Sequence, residues 1–202
     1  MVTVKKVFLQ QGLQYMELNA FLASRLTRAG YVDVEIFKTP IGTRVVIYAE
    51  RPAMVIGRRG RVIKELSQIL QTKFGLDNPQ IDVVEVQNPE LNAKIMAYRI
   101  ARAIARGVKF RRAALIGLAR IMEAGARGAE IVVSGKLTSE RARTEKFTAG
   151  VIYKSGKPRE ELVDEATIHV LLKPGVYGVK VRIMPPAEPP DAIKIKEPEV
   201  VS

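Results

Sequence analysis

Residues 55–63 read VIGRRGRVI, and the fold of the first half of the chain turns on them. Two glycines, Gly57 and Gly60, bracket two adjacent arginines, with Val-Ile pairs at 55–56 and 62–63. Just upstream, PAMVI opens on Pro52, whose missing N–H does no harm at the first position of a helix. Downstream, RVIKELSQILQTKF places Val62, Leu66, Ile69, Leu70 and Phe74 on one helical face and stops at Gly75. The stretch therefore predicts a loop between a short helix and a long one, anchored by the Val-Ile pairs. Glycine lets such a loop turn tightly and lets a ligand's backbone approach without a Cβ in the way. The open N–H groups and dipole at the start of the long helix favour an anion there. Arg58 and Arg59 repel each other slightly in the free chain, and a phosphodiester backbone removes that cost. The loop reads as a holder of phosphates, with no means of reading bases.

A G-x-x-G match alone says little, since glycine at about 7% of residues gives roughly one by chance in a chain this long. This chain has three: GRRG at 57–60, GARG at 125–128 and GVYG at 175–178. The second falls where a helix is expected to end, a usual place for glycine. The third is expected in a turn between two strands. Only the first has a helix on each side.

Further outward, Met16, Ala20, Ala23 and Leu26 recur at helical spacing from Gln14 to Ala29, and Gly30 stops the run. YVDVEIFKTP alternates as a strand, Pro40 and Gly42 turn the chain, and TRVVIYAE reads as a more buried strand. QIDVVEVQ is a third strand. The order is helix-strand-strand-helix-helix-strand. That order, with GRRG between its paired helices, resembles a type II KH domain, whose GXXG loop clamps about four backbone nucleotides. The resemblance implies an RNA-binding domain over residues 1–89, with Gly57, Arg58, Arg59, Gly60 and Arg61 at the clamp.

Pro89 marks a boundary. Two helical stretches follow, one from Leu91 to Val108 and one ending at Gly125. Four strands are expected after them, in AEIVVSG, ARTEKFTAGVIYKSG, DEATIHVLLK and GVKVRIM. The fold class is thus α+β: the KH-like domain, then a two-helix plus four-stranded domain over 90–184. Residues 185–202 are proline-rich and read as a disordered tail. No internal repeat is visible.

Charge points the same way as the loop. The 202-residue chain carries 33 Lys and Arg against 21 Asp and Glu, a net charge of +12, while 47% hydrophobic residues supply a core. A folded chain this basic meets a polyanion, nucleic acid or anionic membrane. No apolar run approaches the ~20 residues of a membrane span, and the N-terminus has no signal-like apolar region. Membrane is therefore not an expected partner. The absence of cysteine excludes disulfides and fits an intracellular protein. From Leu91 to Met122 there is no acid but there are eight bases. Arg99, Arg102 and Arg106 share a helix face, where like charges destabilise by about 0.2–0.5 kcal/mol per pair. Lys109, Arg111 and Arg112 follow. Phosphate neutralisation explains such a stretch economically. Lys136, Arg141, Arg143 and Lys146 cluster in SGKLTSERARTEK, and Lys180 and Arg182 alternate with apolar residues on the last strand. Together they imply several contacts with a large RNA.

Catalysis is not expected. His169 is the only histidine and reads as a half-exposed strand residue. No nucleotide-binding or zinc-protease motif appears, and Asp33 with Glu35, or Asp164 with Glu165, lacks a third carboxylate for a metal-dependent nuclease. No metal or cofactor is expected. A free KH-type RNA-binding regulator is the stronger alternative, and a nucleic-acid-processing enzyme the weaker.

Over residues 4–184 the chain resembles the small-subunit ribosomal protein S-three family. The resemblance rests on VIGRRGRVIKELSQIL, KFRRAALIGLARIMEAGARGAEIVVSGKL, RARTEKFTAG and GVYGVKVRIM. It implies a non-enzymatic, cytoplasmic protein in the head of the small subunit, bound to ribosomal RNA and to neighbouring head proteins. It also implies a place where messenger RNA enters the subunit, with help in opening message structure. Arg111 and Arg112 match the family's arginines at that opening. Bacterial members carry a lysine three residues further on, where this chain has Leu115. The VVSGKL segment and the EKF after RART look like the archaeal or eukaryotic branch, and the short tail and lean length favour the archaeal one.

Overall fold

The structure is a computed structural model that describes residues 4–39 and 42–186. The expected turn residue Pro40 and all but the first two residues of the expected tail lie outside that range. The chain divides into two compact units between Pro89 and Glu90.

The first unit runs α1 (Val4–Arg25), β1 (Tyr31–Thr39), β2 (Gly42–Ala49), α2 (Pro52–Ile56), α3 (Arg61–Phe74) and β3 (Gln80–Glu85). The sheet order is β1-β2-β3. β1 pairs antiparallel with β2, and β3 lies parallel to β2. A parallel neighbour needs a crossover, and α2, the GRRG loop and α3 together provide it. β2 is central, so Val45, Ile47 and Ala49 are fully buried, as the density of β-branched residues predicts. They pack against Leu18 and Leu22 of α1 and Leu66, Leu70 and Phe74 of α3. Each such side chain contributes about 1.5–3 kcal/mol of burial. The long helix thus keeps its expected face, though Ile69 is only half-buried. α1 begins at Val4, ten residues before the periodicity becomes clear, because Leu9, Leu13 and Met16 on its early turns are exposed and define no buried stripe.

The second unit runs α4 (Ala93–Ala105), α5 (Phe110–Glu123), β4 (Gly128–Gly135), β5 (Arg143–Gly150), α6 (Lys157–Leu162), β6 (Asp164–Leu172) and β7 (Gly175–Met184). Its four strands are antiparallel in the order β5-β4-β7-β6. The Asn92 side chain caps α4 by accepting from the N–H groups of Lys94 and Ile95. α4 and α5 cover one sheet face, where Ile131, Val133, Val179, Val181 and Ile183 meet Met96, Ile100 and Ile121. Gly117 permits that approach: a Cβ there would sit 2.8 Å from Ile100 Cδ1.

Two details differ from expectation. The strand read through KSG ends at Gly150, and the six-residue α6 follows, too short to show periodicity; Gly156 precedes it and Pro158 lies in its first turn. GVYG opens β7 itself and is not in a turn, because Leu172 pairs with Gly175 and leaves the bend to Lys173 and Pro174.

Candidate nucleic-acid interface

The GRRG loop is a short piece of irregular helix with unusual backbone. Gly57, Arg59 and Gly60 all have positive φ, at 72°, 52° and 71°. Gly57 is required twice over. Its φ belongs to the left-handed region, and a Cβ there would lie 2.4 Å from Val62 Cγ2. Gly60 needs its conformation only, since a Cβ would meet nothing closer than Ile63 Cγ2 at 3.8 Å. Arg59 adopts positive φ without being glycine, a conformation that costs about 1–2 kcal/mol. Backbone bonds from Gly57 N–H to the Ala53 carbonyl (3.0 Å) and from Gly60 N–H to the Gly57 carbonyl (3.3 Å) hold the turn. Of the Val-Ile pairs, Val55 is fully buried and Val62 packs on the core, but Ile56 is exposed beside Met54. The anchoring is done by one residue of each pair.

Arg58, Arg59 and Arg61 are exposed, and among the described residues no carboxylate pairs with them. α3 has no side-chain cap and no acid in its first turn. The loop therefore gathers three exposed cations beside the start of a long helix, which is what a phosphate needs.

The second unit divides its expected cations into two kinds. Arg102, Arg106, Lys109 and Arg112 surround the turn between α4 and α5, all exposed and unpaired among the described residues. Lys136 and Arg141 are likewise exposed and unpaired. Arg99 differs from its helix neighbours: its Nη1 donates to Glu90 Oε1 at 3.0 Å. Arg111 also differs from Arg112. Its Nε and Nη2 donate to the two Glu145 oxygens at 2.9 and 2.7 Å, a two-pronged pair between α5 and β5. Hydrogen bonding between the two groups holds the Glu145 carboxyl below its ordinary range and Arg111 above its own. Arg143 adds to the field that lowers Glu145.

Lys146, Lys180 and Arg182 lie together on the sheet face away from the helices, and all three are engaged. Glu130 of β4 is 1% exposed, and its Oε2 stands 3.3 Å from both Lys146 Nζ and Lys154 Nζ. Both ammonium groups thus form ion pairs with one buried carboxylate oxygen. Arg182 Nη1 donates to Glu130 Oε1 at 3.0 Å, and its Nε donates to Glu165 Oε2 at 2.8 Å. Lys180 and Arg159 also pair with Glu165. Burial pushes the Glu130 carboxyl up, but the two lysines outweigh it and the group titrates low. Lys180 pulls Glu165 down to about 2, against burial and with help from Arg182.

Lys154, Arg159, Glu130 and Glu145 were not among the residues expected to matter. The one signal was Glu130, an acid inside the otherwise apolar AEIVVSG. Its partners come from three other segments, so strand order had to be known first. His169 is exposed on β6, more open than expected. Among the described residues no group of three or more His, Asp or Glu could hold a metal ion, and no helix is long and apolar enough to cross a membrane.

Fold and loop together define a KH-type protein carrying a second α+β unit, and the comparisons agree. Residues 17–91 match the KH domain family, and residues 100–183 match the family described as ribosomal protein S3, C-terminal domain. The small ribosomal subunit protein uS3 of Thermofilum pendens is 65% identical over 97% of this chain and 97% of its own length. The proteins of the same name from Sulfurisphaera tokodaii and Hyperthermus butylicus are 54% and 50% identical, over 98% and 100% of this chain and 88% and 81% of theirs. The chain belongs to the uS3 family of small ribosomal subunit proteins.

Proposed function

We propose that this chain is a structural component of the small ribosomal subunit, seated on ribosomal RNA by the cations its fold leaves unpaired. The observation that carries the reading is the group at the α4–α5 turn. Arg102, Arg106 and Lys109 stand exposed in a stretch without an acid from Leu91 to Met122. A helix pair shaped for its own stability would intersperse glutamates. Phosphates supply the missing negative charge and release counterions in doing so. The GRRG loop acts as a second phosphate clamp. Arg111 and Arg112 stand where messenger RNA enters and contribute to opening its structure. Neighbouring head proteins are its protein partners, and its place is the cytoplasm, on the ribosome.

The test is sedimentation of tagged chain from lysate through a high-salt wash, with parent and with Arg111→Ala plus Arg112→Ala. The parent stays in the small-subunit peak. The double variant also stays there but lowers the rate at which ribosomes pass a structured message. A parent chain that runs light and carries scattered transcripts identifies a free RNA-binding regulator instead. A double variant that fails to assemble makes the pair a ribosomal RNA contact.

A further inference from the structure

Arg111 and Arg112 are neighbours in sequence but not equivalents in structure, and the difference has a cause. Arg111 Nε and Nη2 meet the two Glu145 oxygens at 2.9 and 2.7 Å, the fork geometry that arginine also presents to a phosphate. Arg112 is exposed and faces no carboxylate among the described residues. The pair is not a sealed core contact: the Arg111 side chain is 65% exposed and that of Glu145 25%. The guanidinium also lies 5.6 Å from the centre of the Phe110 ring.

Register explains why the carboxylate stands there. Glu145 is on β5, an edge strand, opposite Val133. Phe147 and Ala149, two and four residues on, pack against the core under α4 and α5. Alternation puts Glu145 on that same face, at the end of the row and beside the first turn of α5. That turn has no acid of its own. A carboxylate at a helix N-terminus is favourable, so a purely structural role also exists and the test must separate the two.

We infer that Glu145 is a built-in stand-in for phosphate: it occupies the Arg111 fork when no RNA is bound and yields it to a strand that arrives. This rests on the reading of Arg111 and Arg112 as RNA contacts. Arg112 makes first contact, because it has no partner to leave. Arg111 follows by exchanging one anion for another with little change in its own geometry. Glu145 is a positioning residue that sets how readily the second cation engages. The exchange filters ligands, since a lone anion must compete with a carboxylate already in place, whereas a strand held by Arg112 presents its next phosphate at high local concentration.

The experiment measures binding of the full chain to a labelled oligouridine strand as a function of salt. Each phosphate contact to single-stranded RNA contributes about 0.7 to the slope of log affinity against log salt. Glu145→Gln, nearly isosteric, is expected to tighten binding about twofold to fivefold, the range of an exposed ion pair. Arg111→Ala loses about 0.7 of slope, and Glu145→Gln adds nothing in that background. Thermal stability is read alongside, because loss of a helix-end charge moves stability and leaves the slope alone. If Glu145→Gln leaves affinity unchanged while Arg111→Ala flattens the slope, the exchange is wrong and the RNA contact stands. If Arg111→Ala and Arg112→Ala both leave the slope unchanged, the RNA reading falls and the exchange with it.

Discussion

The GRRG loop of the first unit and the outer sheet face of the second are both rich in cations, and they treat them in opposite ways. In the loop, Arg58, Arg59 and Arg61 stand on a backbone of three positive-φ residues and pair with no carboxylate among the described residues. On the sheet face, Lys146, Lys154, Arg159, Lys180 and Arg182 are held by two glutamates, one of them buried. Equal formal charge is therefore not equal readiness to bind. The loop has accepted backbone cost to keep its charges free, while every one of those sheet-face cations already has a carboxylate partner, although two carboxylates among five cations leave the face positive.

Reversing the free charges should have the strongest consequence. Arg58→Asp with Arg59→Asp is expected to reduce affinity of the full chain for oligouridine about 25-fold or more in 0.1 M salt, with a slope smaller by about 1.4. Lys146→Ala with Lys180→Ala, the same number of cations removed from the paired face, should change the slope far less. Equal losses in a salt titration of the two variants would erase the distinction between the regions.

The backbone cost in the loop comes next. Gly57→Ala forces a Cβ against Val62 at positive φ and is expected to destabilise by about 2 kcal/mol. Gly60→Ala brings its Cβ only into ordinary contact with Ile63, at 3.8 Å, and costs about 1 kcal/mol from conformation alone. Chemical denaturation of both variants measures the difference, and a reversed order would mean that Val62 moves aside freely.

The smallest effect concerns acid. Glu165 titrates at about 2, below its ordinary value of 4.5, so its ion pairs contribute stability that is complete above pH 4.5. That contribution is lost as pH falls from 4.5 toward 2. Melting temperature followed over that range should decline less in Glu165→Gln than in the parent, because the variant has no proton to take up.

Much of this was legible in the residues. Periodicity in RVIKELSQILQTKF, β-branched density in TRVVIYAE and the stops at Gly30 and Gly75 gave the element order of the first unit, since each signal lies within one element. The free cations of the α4–α5 turn were visible too, because an acid-free run excludes partners nearby in sequence. Pairing was not legible. Glu145 reaches Arg111 across 34 residues and Glu130 reaches Arg182 across 52, so only strand order could reveal which charges were already spoken for. Arg99 shows the limit at shorter range: its partner, Glu90, sits one residue before the acid-free run begins.

The strand order β5-β4-β7-β6 also bears on how the second unit is made. The last of its described strands in chain order, Gly175–Met184, is not at the rim but between β4 and β6. Until the ribosome has released those ten residues, the β4–β5 hairpin and β6 have no link between them, and each presents an open edge. Glu165 lacks Lys180 and Arg182, and Glu130 lacks Arg182. Both the sheet and its charge lattice therefore close only when β7 is in place, so a chain cut short before it is left with open strand edges and with Glu165 holding Arg159 alone.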